Sequence, residues 1–590
     1  MRRRSIGPLL AVLAAVVALA APFTGLLPPY WVTLFNYIGI SSLVAIGLVL
    51  LTGVGGMTSF GQAAFVGFGA YATAVLTVHY GLSPWLTLPI ALAFTASAAL
   101  ILGLVTVRLS GHYLPLGTLA WGIAFFYLFG NSAWLGGQDG LSGIPSLRIG
   151  PHALTDVRDY FVVVWTAVVI SMVATRNLLA GRIGRAVRAL RRTTAAAEAF
   201  GVETARVKLL VFVYSAVLAG LAGWLYAHFQ RSVSPSPFGV TAGVEYLLMA
   251  VVGGAGRIYG AVLGAAAVMF LRNVLQDALP WLLGSSGNFE AIVFGAVLVL
   301  VLQTAPTGLW PIFAGPPAPP KPQRASSEAL PHRVAPEPGL PLLDIRAARK
   351  SFGGLVAVND VSFEVRSREI VGLIGPNGAG KSTTFNLVTG ALPLTAGEIY
   401  FRGEPITAAR PQDVARLGIG RSFQHAHLVP DMSAVENVAL GAHLRGGGGA
   451  LRAMLGLDRA EETGLLVAAE RALERVGLAD CASRPAGTLA LGQLRLIEIA
   501  RALCLDPVLL LLDEPAAGLR AGEKKALGTL LAELRREGVS ILLVEHDMNF
   551  VMNLVDRLVV LDFGVKIAEG TPRAVRQDPR VLEAYLGGVA

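Results

Sequence analysis

The first half of the chain is dominated by long, uninterrupted runs of apolar residues. Eight runs of at least 17 residues recur, at about 7–27, 32–52, 60–80, 85–107, 114–135, 160–178, 207–228 and 289–305. A helix of that length crosses about 30 Å of hydrocarbon. A ninth stretch, 244–276, is interrupted at 253–257, and we interpret it as two helices joined by a turn. The pattern therefore predicts a polytopic α-helical membrane domain of about ten spans, with the interrupted pair covered by protein or a water-filled cavity.

Basic residues set the expected orientation of these helices. Three arginines at positions 2–4 precede the first apolar run, and six more lie in the loop 179–206. Because cytoplasmic loops carry an excess of Lys and Arg, we expect the amino terminus, this loop and the second half of the chain to lie in the cytoplasm. The first run is also compatible with a cleaved signal peptide, although its length favours retention as a span.

A proline-rich stretch separates the apolar half from a charged half. Residues 314–341 contain nine prolines and almost no apolar periodicity, which is typical of a semi-extended linker. We therefore predict a membrane domain over 1–313, this linker, and a further domain over 342–590.

Composition and charge narrow the class of protein. With a mean hydropathy of +0.60 and only 15% charged residues, the 590-residue chain is too apolar for a soluble protein of its size. Residues 1–315 hold 17 Lys and Arg against 8 Asp and Glu, which accounts for the whole net charge of +9. This excess belongs to the membrane part, so we expect no nucleic acid as a partner. The spacing of Cys481 and Cys504 suits no metal site, and we expect both to be reduced.

The strongest chemical signal is the segment GPNGAGKST at 375–383. It fits the Walker A spacing, in which backbone N–H groups cradle phosphates, the lysine reaches them, and the serine hydroxyl holds Mg²⁺. The apolar run 371–374 before it predicts a buried strand and 383–388 after it predicts a helix, which is the context that the motif requires. The residues predicted to contact nucleotide are Gly375, Asn377, Gly378, Gly380, Lys381, Ser382 and Thr383.

Polar residues follow two further apolar runs in this half. Asp513 and Glu514 end the first run, and His546 follows the second. We expect Asp513 to hold the Mg²⁺ shell together with Ser382, and Glu514 to act as the general base that polarises water. We expect His546 to contact the γ-phosphate, and the neutral amide of Gln424 to sense Mg²⁺ and the water.

These motifs occur in the order found in the ATPases of ABC transporters, which residues 342–590 resemble. Phe352 stands 23 residues before Gly375, and LALGQ at 489–493 is similar to the signature motif. The resemblance implies an α/β P-loop NTPase domain of the ABC type, ATP stacked through its adenine on Phe352, and a signature helix facing the γ-phosphate bound by an opposite subunit. The signature residues implied to contact that nucleotide are Leu489, Ala490, Gly492 and Gln493.

Two positions depart from the commonest form of the ABC family. Ala490 stands where a serine usually donates its hydroxyl, and Arg520 stands where Asp or Asn is common in the loop between subunits. Backbone N–H groups around Gly492 remain as donors. The departures therefore bear on the strength of the site and not on its existence.

A narrower resemblance is to the branched-chain amino acid (Liv-type) uptake systems. IGPNGAGKSTTFNLVTG, LDEPAAGL, LLVEHDM and RVLEAYLGG resemble their ATPase, while GGMTSFGQAAFVGFGAYATA, SGHYLPLGTLAWG and GGQDGLSGIP resemble their second permease. The chain thus resembles that permease fused to its ATPase. The resemblance implies ATP-driven import of a branched-chain or related small amino acid or amide across the cytoplasmic (inner) membrane. It also implies an extracytoplasmic substrate-binding protein, a second permease and a second ATPase subunit as partners in the lipid bilayer.

Functional residues in the membrane half are less sharply indicated. The segment 193–201 is short and helix-prone, and the resemblance implies that it is the coupling helix that seats on the ATPase. Gln62, Tyr113 and Asp139 lie within or beside apolar spans, where polar groups are costly enough to suggest function. Tyr and Gln also hold neighbouring helices together, so a place on the substrate path and a structural role both stay open.

Two other functions compete with import. An ABC exporter half-transporter has the same order of domains, but such proteins usually carry six long spans extending into the cytoplasm, whereas only the 179–206 loop is sizeable here. An ABC-type ATPase used for regulation without transport is the second alternative. The residues leave open which substrate is carried and whether two copies pair or a heteromer forms.

Overall fold

The computed structural model describes residues 21–25, 27–107, 113–192, 194–283 and 330–586, together with short stretches between 292 and 314. The chain divides into two compact units. Unit 1 comprises Met1–Leu178 and Ala205–Pro317, and unit 2 comprises Leu179–Thr204 and Ala318–Ala590. The 179–204 segment therefore belongs to the same unit as the carboxyl-terminal half, although its sequence neighbours belong to unit 1.

The described residues of the amino-terminal half are mostly helical, since a helix satisfies its own backbone hydrogen bonds inside an apolar environment. Its helices are α1 (Pro29–Leu48, continued by a π-helix at Val49–Val54), α2 (Gln62–Val78), α3 (Pro84–Thr106), α4 (Tyr113–Asn131), α5 (Val157–Ala180), α6 (Arg182–Leu190), α7 (Thr194–Ala199), α8 (Thr204–Gln230), α9 (Val240–Gly254), α10 (Ile258–Leu283) and α11 (Trp310–Ala314). The same half contains two short antiparallel strand pairs. Strand β1 (Leu141–Ser142) pairs with β4 (Ser232–Val233), and β2 (Arg148–Ile149) pairs with β3 (His152–Ala153). Helices α6 and α7 lie in the 179–204 segment, and α7 lies within the helix predicted over 193–201.

Six helices of the described residues are long and apolar enough to cross a membrane. They are Pro29–Val54, Pro84–Thr106, Tyr113–Asn131, Val157–Ala180, Thr204–Gln230 and Ile258–Gln276. Two shorter apolar helices, α2 and α9, lie on predicted runs as well, and the break between α9 and α10 coincides with the predicted interruption. The runs predicted at 7–27 and 289–305 lie largely outside the described residues, so the total of about ten spans stays a prediction.

The break between α9 and α10 packs against the π-helix that ends α1. A Cβ at Gly53 would overlap the backbone nitrogen of Gly256, so only glycine permits this approach. Gln62, the first residue of α2, is fully buried, and its side-chain amide has no hydrogen-bond partner among the described residues. Tyr113 and Asp139 are exposed. Burial thus distinguishes Gln62 from the other two polar candidates.

Unit 2 contains the α/β fold. Its strands are β5 (Pro341–Phe352), β6 (Leu355–Arg366), β7 (Ile370–Ile374), β8 (Ala396–Phe401), β9 (Glu404–Pro405), β10 (Ile419–Arg421), β11 (Leu509–Asp513), β12 (Ser540–Val544), β13 (Arg557–Asp562) and β14 (Val565–Gly570). Its remaining helices are α12 (Lys381–Val388), α13 (Pro411–Leu417), α14 (Ala434–Ala439), α15 (Ala450–Met454), α16 (Arg459–Arg475), α17 (Leu491–Cys504), α18 (Ala521–Arg536), α19 (Met548–Met552), α20 (Pro572–Arg576) and α21 (Pro579–Leu586).

The larger sheet of unit 2 determines where its polar loops meet. The strand order is β10-β11-β12-β7-β13-β14, with parallel pairing throughout except between β13 and β14. Every residue of β7, β11 and β12 is buried, as expected for parallel strands covered on both faces. The carboxyl ends of parallel strands lie at one edge of a sheet, so the loops after β7, β10, β11 and β12 come together there. A second, antiparallel sheet has the order β6-β5-β8-β9.

Candidate functional site

The Walker A segment forms the turn between β7 and α12. Gly378 and Gly380 have φ angles of 84° and 94°, in the left-handed region that favours glycine. A Cβ at Gly380 would also overlap the carbonyl oxygen of Ala357 on β6. The turn therefore presents backbone N–H groups at the start of α12, where helix geometry favours an anion.

Lys381 is the first residue of α12 and bends back over the phosphate loop. Its Nζ donates hydrogen bonds to the carbonyl oxygens of Gly375 at 2.7 Å and Pro376 at 2.8 Å. Burial lowers the pKa of Lys381, and the charges of Glu514 and Asp513 partly oppose that shift. Lys381 and both predicted acids are thus close enough for their charges to interact.

Asp513, the last residue of β11, is 3% exposed and ends in an unsatisfied oxygen. Its backbone N–H donates to Ser422 Oγ at 3.2 Å, while its Oδ1 has no partner among the described residues. Burial raises the pKa of Asp513, and Arg421 counteracts that rise. A buried, unpartnered carboxylate oxygen is costly. Mg²⁺ takes oxygen ligands from one or two carboxylates together with phosphates. The carboxylate of Asp513 and the hydroxyl of Ser382 are ligands of the kind that this ion prefers.

Glu514 follows Asp513 with an unusual backbone conformation. Its φ is 48°, in the left-handed region, and its N–H donates to the carbonyl oxygen of Val544 at 2.8 Å. His546 Nδ1 lies 3.9 Å from Glu514 Oε1 and 3.8 Å from Glu545 Oε2. The histidine is largely exposed, whereas Glu545 is buried. Glu514 and His546 therefore flank the same edge of the sheet from neighbouring strands.

Gln424 lies in the loop after β10 with an exposed side chain. The start of this loop is fixed by Arg421, whose Nη1 donates to Asn386 Oδ1 at 2.7 Å and to Thr389 Oγ1 at 3.0 Å. Both partners belong to the α12 region, so Arg421 ties the Gln424 loop to the phosphate-loop helix. This role of Arg421 was not predictable from the sequence, because its partners lie more than 30 residues away.

Phe352 ends β5 and pairs with Leu355 at the start of β6. Phe352 is 47% exposed, and Lys350 Nζ lies 5.1 Å from the centroid of its ring. The same hairpin reaches the phosphate loop, since Ala357 approaches Gly380. An exposed aromatic face beside a phosphate loop is the arrangement that adenine stacking requires.

Replacing Phe352 by alanine is expected to weaken ATP binding by about 0.5 to 1.5 kcal/mol, the range of an aromatic stacking contact. Isothermal titration of the purified protein with ATP and with GTP measures this. Leu355→Ala on the same hairpin is the control and should change affinity much less. An unchanged affinity for ATP in Phe352→Ala would rule out stacking on this ring.

The LALGQ segment forms the start of α17. The N–H of Ala490 donates to Gln493 Oε1 at 3.1 Å, and Leu489 is buried. A Cβ at Gly492 would lie 3.4 Å from Leu519 Cδ2, beside the loop that contains Arg520. Gly492 of the predicted signature therefore lies beside the Arg520 loop, while Lys381 of the Walker A loop lies within electrostatic reach of Asp513 and Glu514.

Arginines in and around α17 are the functional candidates that the sequence reasoning missed. Besides the buried Arg421, α17 contributes the half-buried Arg495 and the fully buried Arg501, which has Glu498 as its ion-pair partner. The available signal was a charged pair three residues apart within the apolar stretch IEIARALC. That pattern does not distinguish a solvated helix face from a buried pair.

A parallel α/β sheet with a Walker A loop, two acids and a histidine at one edge, joined in one chain to a bundle of apolar helices, defines an ABC-transporter ATPase fused to a membrane domain. Residues 30–302 match the family model for a branched-chain amino acid transport system permease component. Residues 358–517 match the model for ABC transporters, and residues 565–590 match the model for branched-chain amino acid ATP-binding cassette transporters.

Curated relatives agree with these matches. The high-affinity branched-chain amino acid transport ATP-binding protein LivG of Salmonella typhimurium is 45% identical over 250 residues, covering 42% of this chain and 98% of the relative. The corresponding protein BraF of Pseudomonas aeruginosa is 43% identical over 251 residues, with the same coverage. A crystal structure of a nucleotide-free ATP-binding cassette is 33% identical over 42% of this chain and all of its own, with a TM-score of 0.38. The chain belongs to the Liv-type branched-chain amino acid ABC transporter family.

Proposed function

We propose that this chain is the fused permease and ATPase subunit of an ATP-driven importer of branched-chain amino acids or related small amino acids and amides. The observation that carries the proposal is the presence, in one chain, of a region matching a branched-chain amino acid permease and a region 45% identical to a LivG ATPase. The substrate is delivered by a separate extracytoplasmic binding protein. The membrane is the cytoplasmic (inner) membrane, crossed about ten times, with the ATPase in the cytoplasm.

The ATPase chemistry follows from the residues at the sheet edge. Phe352 stacks on adenine, and the loop from Gly375 to Thr383 holds the phosphates with its backbone N–H groups and Lys381. Glu514 accepts a proton from the attacking water, and His546 holds the γ-phosphate next to it. Gln424 positions the water. Ser382, Asp513 and Gln424 would hold Mg²⁺, which would supply positive charge to offset that of the phosphates.

Contacts of the 179–204 segment support its role in coupling transport to hydrolysis. Both terminal nitrogens of Arg185 donate to the carboxylate of Glu462, and Arg185 is 1% exposed. Arg188 Nη2 lies 3.1 Å from Glu436 Oε1. Breaking a buried ion pair of this kind costs about 3–5 kcal/mol. The arginines that the sequence offers as topology signals thus also fix this segment on the ATPase.

In this chain, residues 1–313 form the membrane domain, 314–341 the linker and 342–590 the ATPase domain. The remaining parts of the transporter come from other chains. Leu489, Ala490, Gly492 and Gln493 complete the nucleotide site of a second ATPase subunit and not their own. A second permease and a second ATPase subunit therefore complete a heteromeric importer, and the chain alone hydrolyses ATP slowly.

Reconstitution in lipid vesicles tests the proposal. The purified chain is inserted with its co-purifying subunits, and uptake of radiolabelled leucine is measured with and without ATP inside and binding protein outside. Uptake is expected only when both are present. Lys381→Ala in the same preparation is the matched control for ATP dependence.

Three results would contradict parts of this proposal. Release of leucine from loaded vesicles on addition of ATP would indicate an exporter, and hydrolysis that no tested amino acid or binding protein changes would indicate a non-transport ATPase. Full hydrolysis by this chain as a monomer, verified by light scattering during the assay, would contradict the shared nucleotide sites.

A further inference from the structure

Helix α17 carries a buried ion pair that the nucleotide chemistry does not use. Arg501 is fully buried and Glu498 is 1% exposed, and Arg501 Nη2 lies 2.6 Å from each carboxylate oxygen of Glu498. A buried pair is retained at a cost in desolvation, and an apolar pair of equal volume is often as stable. Stability alone therefore does not account for the Arg501 guanidinium, and its other contacts indicate a further role.

The other contacts of Arg501 join two separate segments. Its Nη1 donates to the carbonyl oxygen of His427 at 2.9 Å, three residues after Gln424. Its flat face lies under the ring of Phe200, with 4.6 Å between the guanidinium carbon and the ring centroid. Phe200 follows α7 in the 179–204 segment and is itself fully buried in the core of unit 2. The Arg501 side chain thus contacts both the 179–204 segment and the Gln424 loop.

A second arginine of α17 holds the other end of the same loop. Arg495 Nη1 donates to the carbonyl oxygen of Phe423 at 3.1 Å, directly before Gln424. The rings of Phe423 and His427 meet edge to face, with centroids 5.2 Å apart. The backbone on both sides of Gln424 is therefore attached to α17, and the Gln424 side chain is left exposed between these attachments. The attachment through Arg501 also involves the 179–204 segment, through Phe200.

We propose that Arg501 is a positioning residue that couples the 179–204 segment to the Gln424 loop. A displacement of Phe200 across the guanidinium face moves the donor that holds the His427 carbonyl, and with it the placement of Gln424. The planar fork of arginine is needed, because it bonds Glu498 and His427 in its plane while Phe200 stacks on its face. The inference rests on the proposed function, since it assigns a residue to the link between transport and hydrolysis.

The test uses the reconstituted complex with Arg501→Lys. Lysine keeps the charge and a bond to Glu498 but loses the flat face and the second donor direction. We expect stimulation of hydrolysis by binding protein and leucine to fall by about 2- to 30-fold, the range for residues that transmit coupling. Leucine taken up per ATP hydrolysed should fall with it, while unstimulated hydrolysis and ATP affinity change less than the stimulated rate.

Two further variants give the inference its controls. Phe200→Leu should reproduce the loss of stimulation, and the double variant should lose no more than the larger single loss, because both act through one contact. Arg557→Lys is the matched control, since Arg557 also pairs with a glutamate, Glu369, but lies on β13. It should leave stimulation unchanged.

The outcomes separate this inference from the proposed function. Wild-type uptake together with normal stimulation in Arg501→Lys overturns the role of Arg501 alone. A lower Tm with stimulated and unstimulated hydrolysis reduced in equal proportion also overturns it, because that result marks a structural residue. Absence of ATP-dependent uptake in the wild-type complex overturns the proposed function instead.

Discussion

Replacing Glu514 by glutamine is expected to leave ATP binding intact and to lower hydrolysis by about 10²- to 10⁴-fold, the contribution of a positioned general base. The amide keeps the shape of the side chain and loses the basic oxygen. The effect is large because Glu514 stands at the sheet edge beside His546, with Lys381 near enough for its pKa to respond to the glutamate. Steady-state hydrolysis and equilibrium binding of ATP, measured on the same complex, check both parts.

The control for this variant is Glu533→Gln, which makes the same chemical change on the exposed side of α18. It should hydrolyse ATP at the wild-type rate. Turnover of Glu514→Gln within about twofold of wild type would remove Glu514 from the role of base, since a base supplies far more.

Lys381→Ala is expected to weaken ATP binding itself by about 10- to 150-fold, because a hydrogen bond to a charged partner is worth about 1.5–3 kcal/mol. The lysine Nζ already points into the loop, where it is held by the carbonyl oxygens of Gly375 and Pro376. Titration calorimetry with ATP checks the affinity. The distinction from Glu514→Gln is qualitative, since one variant loses binding and the other loses turnover.

Lys525→Ala on the exposed face of α18 is the matched control for charge removal. It should bind ATP as the wild type does. If Lys381→Ala also binds ATP normally, the lysine does not contact the phosphates and the phosphate-loop assignment needs revision.

Long apolar runs made most of the helical and strand elements predictable from the sequence. The buried strands β7, β11 and β12 have apolar residues at almost every position, so the sequence marks them without ambiguity. Helix ends in the membrane half were less predictable. Residues 55–61 are non-helical, although much of this stretch is buried. Hydropathy alone does not indicate where a helix ends.

The nucleotide site was predictable where motif spacing fixes it and unpredictable where long-range contacts build it. The residues of the Walker A loop and the acids of β11 lie where the strand order brings them together. The placement of the 179–204 segment in unit 2 depends on pairs such as Arg185 with Glu462, which are 277 residues apart. The same holds for Arg501, because its role depends on Phe200 and on a backbone carbonyl that no residue identity reveals.

The left-handed backbone at Glu514 has a consequence for how this domain responds to selection. A residue with a Cβ in that conformation costs about 1–2 kcal/mol, whereas glycine adopts it freely. At a φ of 48°, glycine in place of Glu514 relieves this strain and removes the carboxylate in the same step. A screen for thermostable variants of the ATPase domain would therefore enrich proteins that lack the proposed base, and only selection for hydrolysis would retain the glutamate.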